Sequence, residues 1–266
     1  MARTTGVAAG MVGRRFLVRT GEFLEQFGLL WRVLATIGRT RGLGKGLIWR
    51  TTVEQVYFTG LRALPVVTLM ALLLGMLVIV ESTERLSAVG LEEYLGRVMV
   101  VMVLRELGPI MTALLVILRS GVAIGVKLGY MAALHELEAM EMQGVDPLHL
   151  VVMPRIIGLM SAMACLLIYF DLVAVFGGSA FAWMVMDVPM GRLSWVISRA
   201  VSFPDVAVGL VKALFFGGVI SVVCIYRGLN ARGDLAAVAP QVSMAAVECL
   251  MWCLAMDMVI SAFFYL

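Results

Sequence analysis

Arg105 and Glu106 stand side by side in LRELGPIMTALLVILRSG, residues 104–121, a stretch otherwise apolar enough to cross a bilayer. A charge at the bilayer centre costs about 2.5 to 3.5 kcal/mol on insertion scales, so such residues face a protein interior or a wet cavity and mark a transport path. The competing reading is an internal ion pair that only orients helices. Successive residues on a helix lie about 100° apart, so the two side chains cannot point the same way. One faces the cavity while the other pairs with a neighbouring helix, at Lys212 or Asp257.

The elements that must hold this pair are membrane helices. Of 266 residues, 62% are hydrophobic and 15% charged, against about 45 to 50% apolar content in an average soluble domain. Apolar runs of about 20 residues read as helical spans, because only helices or closed barrels satisfy their backbone in hydrocarbon. The runs lack the period-two alternation of a barrel. The chain is therefore an all-α integral membrane protein of about five transmembrane helices, near residues 63–82, 98–118, 156–186, 206–226 and 243–265. Residues 1–62 carry ten of the 21 Lys and Arg, against Glu22, Glu25 and Glu54, which holds the N-terminus in the cytoplasm. Glu81, Glu84, Glu92 and Glu93 then lie outside, with the loop from Met186 to Asp205.

Before the first span, Phe16, Phe23, Phe27, Leu30, Trp31 and Leu34 recur at helical spacing opposite Arg19, Glu22, Gln26 and Arg32. This is an amphipathic interfacial helix over residues 14–40, either a simple anchor or an elbow packed on the bundle. The following GRTRGLGKG is no phosphate loop, because Arg39 and Gly46 stand where Walker A needs Gly and Ser or Thr. Nucleotide is used by another chain. The N-terminal residues lack the apolar core of a cleavable signal peptide. Cys165, Cys224, Cys249 and Cys253 fall in or beside spans and support no secreted disulfide framework. Basic residues beside a membrane point to anionic lipid, not nucleic acid.

The third span exceeds one crossing, so it tilts, protrudes or breaks, with Gly177 and Gly178 the expected break. Gly121, Gly125 and Gly129 form a small-residue ladder that admits another helix closely. Helix formers then run from Met131 to Gln143 until Gly144 and Asp146-Pro147 stop them. Glu136, Glu138, Glu141 and Asp146 make this inner connection acidic where Lys and Arg are the rule, so a docking partner is implied. His135, Glu138 and Glu141 imitate a metal cluster, yet their spacing reads as a solvated or docking face.

With RELGPIMTALLVILRSG and EMQGVDPLHLVVMPR in place, the chain closely resembles the MlaE (YrbE) family of ABC-transporter permeases. The resemblance runs from about Phe58 to the C-terminus. It rests on LGM at 74–76, Arg105 to Pro109, Arg119, Gly121, Leu128-Gly129, Met131, Ala139, Glu141, Gly144-Val145, Pro147 and Pro154-Arg155. It implies a single permease domain over 1–266, with the elbow at 14–40, the bundle at 63–266 and a cytoplasmic coupling helix at 130–147. It implies a subunit of the bacterial inner membrane that moves phospholipids or related lipids, with Arg105 and Glu106 at the lipid cavity. It further implies a homodimer, an extracytoplasmic MCE-domain protein, and a cytoplasmic ABC ATPase coupled through Glu138, Glu141, Gly144, Asp146 and Pro147. No cofactor or metal belongs to the chain itself, because ATP is bound by the partner. The chain departs from the family at Lys127, His135, Asp234 and Pro240, and at Val242-Ser243, which points to a divergent branch with its own ATPase.

Two other functions compete. A lipid-modifying enzyme would use Glu106, Asp171 or Asp257 as a base, but no nucleophile and base motif accompanies them. An ion-coupled carrier would relay protons through Glu106, Asp171, Lys212, Glu248 and Asp257. A carrier needs no ATPase dock, whereas the acidic inner connection is one. The 20 methionines suit a cavity that repacks around variable acyl chains as well as they suit a plain lipid-facing surface.

Overall fold

The structure, a computed structural model, describes residues 28, 45–90, 94–186, 191, 195, 199–231 and 234–265. The amphipathic helix expected at 14–40 lies, Gly28 apart, outside the described residues, as do Glu92, Glu93 and most of the loop after Met186. No strand occurs among the described residues. Helix α1 is Lys45–Thr59, α2 Leu64–Val89 and α3 Leu95–Met99. Helix α4 is Gly108–Val116, α5 Val122–Ala133 and α6 Glu136–Met142. Helix α7 is Met153–Met186, α8 Phe203–Leu229 and α9 Val238–Tyr265.

These helices join into five membrane-length segments, Ile48–Leu86, Gly96–Ala133, Leu148–Val185, Phe203–Leu229 and Leu235–Phe264. The first starts 15 residues before the expected 63, because α1 runs into α2 through one tight turn at Leu61–Ala63. Hydropathy sees only the apolar core of such a segment. Pro65 sits at the second position of α2, where a missing N–H costs nothing. Val66, Leu69, Leu73 and Leu77 of α2 are exposed at helical spacing while Val67, Ala71 and Ile79 are buried, so one face meets lipid and the other the bundle.

Two expectations need correction. Helix α7 runs unbroken for 34 residues through Gly177 and Gly178. Those glycines are a groove: a Cβ on Gly178 would stand 2.7 Å from the Gly75 carbonyl of α2, and one on Gly177 would strike Leu72. The helix expected from Met131 to Gln143 is interrupted, because His135 adopts a left-handed backbone (φ 57°) between α5 and α6. The stop beyond α6 is as read. Gly144 takes φ 79°, the Val145 N–H donates to the Met140 carbonyl at 3.0 Å, and Asp146 accepts the Leu148 N–H at 2.9 Å.

The glycine ladder packs inside the chain. Gly125 meets the Cys224 carbonyl of α8 and Val242 of α9, Gly129 meets Val238, and Gly228 of α8 lies against the backbone of Gly125. Without a hydrophobic drive between helices in lipid, such backbone approach is what binds one helix to the next. A Cβ on Gly228 would stand 2.6 Å from the Gly125 carbonyl. Gly228→Val should therefore push α5 and α8 apart and cost about 1 to 3 kcal/mol. Thermal unfolding in detergent should show that loss, whereas Gly46→Ala, in open space within α1, should not lower the transition.

Candidate functional site

The second segment is not a regular α-helix. It widens to π geometry over Val100–Leu107, with the Gly108 N–H donating to Val103 five residues back, and again over Ile117–Gly121. Pro109 adds a second irregularity. It has no N–H, so the Arg105 carbonyl four residues earlier has no α-helical donor. An orphaned carbonyl in hydrocarbon costs several kcal/mol.

Lys212 of α8 supplies the missing donor. Its side chain is fully buried, and Nζ donates to the Arg105 carbonyl at 2.6 Å and to Ser261 Oγ of α9 at 2.7 Å. Nζ also pairs with Asp257 Oδ1 at 2.8 Å and lies 3.8 Å from Glu106 Oε1. Ser261 in turn donates to Glu106 Oε1 at 2.9 Å. One ammonium thus ties three segments together at the irregular turn.

Arg105 diverges from Glu106, as adjacent helical residues must, and pairs with Asp205 Oδ1 of α8 at 2.7 Å. Asp205 is itself held by the start of that helix, where its Oδ2 accepts from Ser202 Oγ at 2.6 Å and from the Ser202 N–H at 3.1 Å. An acid in the first turn also complements the helix dipole. Both charges therefore engage neighbouring helices. Glu106 still keeps 41% of its side chain exposed, against 26% for Arg105 and 2% for Asp205. It is the most exposed charge of the cluster.

Lys212 and Asp257 are partners foreseen for the pair; Asp205 and Ser261 are not, although the Ser202-x-x-Asp205 spacing marks a helix start and Ser261 follows Asp257 by one turn. Asp171 stands apart. Its Oδ1 packs against Gly108, two residues on from Glu106 and so on the opposite face of the helix, without a hydrogen bond. Glu248 pairs with Arg227 at 2.8 Å. The five groups of a proton relay are therefore not joined into one path.

The acidic connection is a separate, exposed site. Glu138 pairs with His135 Nδ1 at 2.9 Å, Glu141 is exposed, and Asp146 holds His149 at 2.8 Å. Pro147 is buried and opens the third segment. Among the described residues no three His, Cys, Asp or Glu side chains are placed to hold a metal.

The sequence pattern of the family described as Permease MlaE matches residues 52–263. The chain belongs to the MlaE permease family. A Haemophilus influenzae relative, the intermembrane phospholipid transport system permease protein MlaE, is 28% identical over 80% of this chain and 82% of its own. The Arabidopsis thaliana chloroplastic protein trigalactosyldiacylglycerol 1 is 27% identical over 83% of this chain and 63% of its own. A Rickettsia felis probable ABC transporter permease is 30% identical over 66% and 68%. The departures from the MlaE pattern are locally accommodated. Lys127 is exposed, His135 makes the break between α5 and α6, and Asp234 Oδ1 accepts the Ala236 N–H at 2.8 Å. Pro240 is the third residue of α9, inside the first turn, where N–H groups lack partners anyway.

Removing Lys212 should strand Asp257 and the Arg105 carbonyl together. Lys212→Met should cost about 3 to 5 kcal/mol, and the double variant Lys212→Met with Asp257→Leu should recover part of it. Thermal melts of the three proteins in one detergent check both the loss and the recovery.

Proposed function

We propose that the chain is the membrane subunit of an ATP-driven transporter that moves phospholipids or related lipids between a bacterial inner membrane and an MCE-domain carrier. The observation that carries this reading is the family match across 52–263, with the Haemophilus influenzae relative a phospholipid-transport permease. The geometry is compatible with it. A lipid needs apolar surface for its tails and a few fixed polar groups for its headgroup. Glu106, half-open and anchored by Ser261 and Lys212, with Arg105 beside it, would meet the headgroup.

The partners follow from the same reading. A separate ABC ATPase binds and hydrolyses ATP, so the chain itself carries no cofactor and catalyses no reaction. Glu138, Glu141, Gly144, Asp146 and Pro147, in the coupling region 130–147, form its dock, with α6 presenting exposed acids to a basic cleft. The N-terminus and this connection are cytoplasmic, and the elbow at 14–40 and the bundle at 63–266 form one domain. Two copies make the lipid-sized cavity that one five-segment chain does not enclose. An ion-coupled carrier is disfavoured by the separation of Asp171 and Glu248 from the Lys212 cluster, and a lipid-modifying enzyme by family membership.

The test is to purify the chain with its native partners and identify bound lipids and proteins by mass spectrometry. An ATPase and phospholipid should both be recovered, and recovery of neither contradicts the reading. Glu141→Lys should leave the permease inserted but reduce ATPase recovery at least about tenfold, since a reversed charge at a desolvated contact costs several kcal/mol. Unchanged recovery would remove α6 as the dock.

A further inference from the structure

Membrane-buried cations elsewhere in the bundle are matched by acids: Arg105 by Asp205, Lys212 by Asp257 and Arg227 by Glu248. Arg155 is not. It lies in the first turn of α7, is 8% exposed, and among the described residues donates, from Nη1, only to the Val151 carbonyl one turn back, at 3.0 Å. No acid among the described residues pairs with it. Arg119, half-buried in the π turn Ile117–Gly121, likewise has neither ion pair nor hydrogen bond among the described residues. Beside it Ser120 Oγ is buried with no hydrogen bond.

Both arginines stand on segments that touch α1. The turn holding Arg119 and the start of the segment holding Arg155 pack on α1. Gly158, one turn beyond Arg155, is so close to α1 that a Cβ there would stand 2.8 Å from Gln55. Arg119 lies about 20 Å from Glu106, counting 13 residues at about 1.5 Å each along the helix. A buried guanidinium without a counter-charge among the described residues is costly, and an anion from outside the chain would complete it. Guanidinium is also the side chain whose planar donors match phosphate oxygens in pairs.

We propose that Arg155, supported by Arg119, is the centre of an anion site that binds the phosphate of a membrane-lipid headgroup beside α1. The proposal rests on the lipid-transport reading and places a phosphate subsite remote from Glu106. A protein carboxylate is the poorer occupant. The exposed inner connection carries Glu136, Glu138 and Glu141, which favour a basic protein partner over an acidic one.

The purified complex is compared by native mass spectrometry with phosphatidylglycerol and with diacylglycerol of the same tails, with and without inorganic phosphate. Wild type should retain the phospholipid about tenfold better than the diacylglycerol, as expected for one paired charge-assisted contact. Arg155→Gln should abolish that preference, Arg155→Lys should restore part of it, and Arg119→Gln should weaken it. Should Arg155→Gln not fold, the half-exposed Arg119→Gln carries the test alone, and an unchanged preference in it overturns the proposal. Retention of both lipids equally by wild type, or a preference as strong as the wild-type one in the glutamine variants, also overturns it. Binding of inorganic phosphate at Arg155 without phospholipid preference would assign the site to free phosphate and defeat the lipid source. Loss of the ATPase from Arg155→Gln with phospholipid preference intact would assign the missing anion to a protein and overturn the proposal as well. Retention of no lipid of any kind would instead count against the transport reading itself.

Discussion

In hydrocarbon every backbone carbonyl must find a donor within the protein, and Pro109 removes the donor that the Arg105 carbonyl would have in an α-helix. The Lys212 ammonium fills that position at 2.6 Å. A buried ammonium in turn requires carboxylates, and Asp257 and Glu106 stand 2.8 and 3.8 Å from it. The same constraint explains why the second, fourth and fifth segments meet here, since each contributes one part that the others cannot supply. Polar residues at this depth therefore hold the bundle together and, at Glu106, leave one carboxylate half-open.

The surrounding packing lets the cluster form. Glycine contacts between α5 and α8, between α2 and α7, and of Gly125 and Gly129 with Val242 and Val238 of α9 hold the helices close around the cluster. Asp205 ties its helix start to Arg105, so a shift of α8 along its axis would disturb both its first turn and the ion pair. Exposed stripes such as Leu69, Leu73 and Leu77 on α2 and Met244, Met251 and Met258 on α9 remain for lipid or a second copy. The acidic α6 lies at the end of α5, on the same continuous segment as Glu106 and connected by helix apart from the break at His135.

Much of this was legible in the residues themselves. Apolar runs located the five segments, the isolated Arg105-Glu106 pair located the cluster, and the Gly144 and Asp146-Pro147 stop needed no tertiary information. Other features depend on contacts that one-dimensional patterns do not hold. Gly177-Gly178 reads equally as a break or as a groove, and only the approach of Gly75 decides it. The left-handed His135 is flanked by helix formers that hide it. The choice of Asp205 for Arg105 arises between residues 100 positions apart.

The central claim is that Glu106 meets the lipid headgroup while Lys212 and Asp257 keep the bundle intact. Glu106→Gln preserves shape and an acceptor for Ser261, and leaves the Lys212–Asp257 pair in place, so the protein should fold and assemble as wild type does. The decisive measurement is ATP-driven lipid transfer by the reconstituted complex carrying this substitution. A fall of about tenfold or more, equivalent to about 1.4 kcal/mol of lost stabilisation of the limiting step, is the predicted result. A folded, assembled Glu106→Gln complex that transfers lipid at the wild-type rate would contradict it.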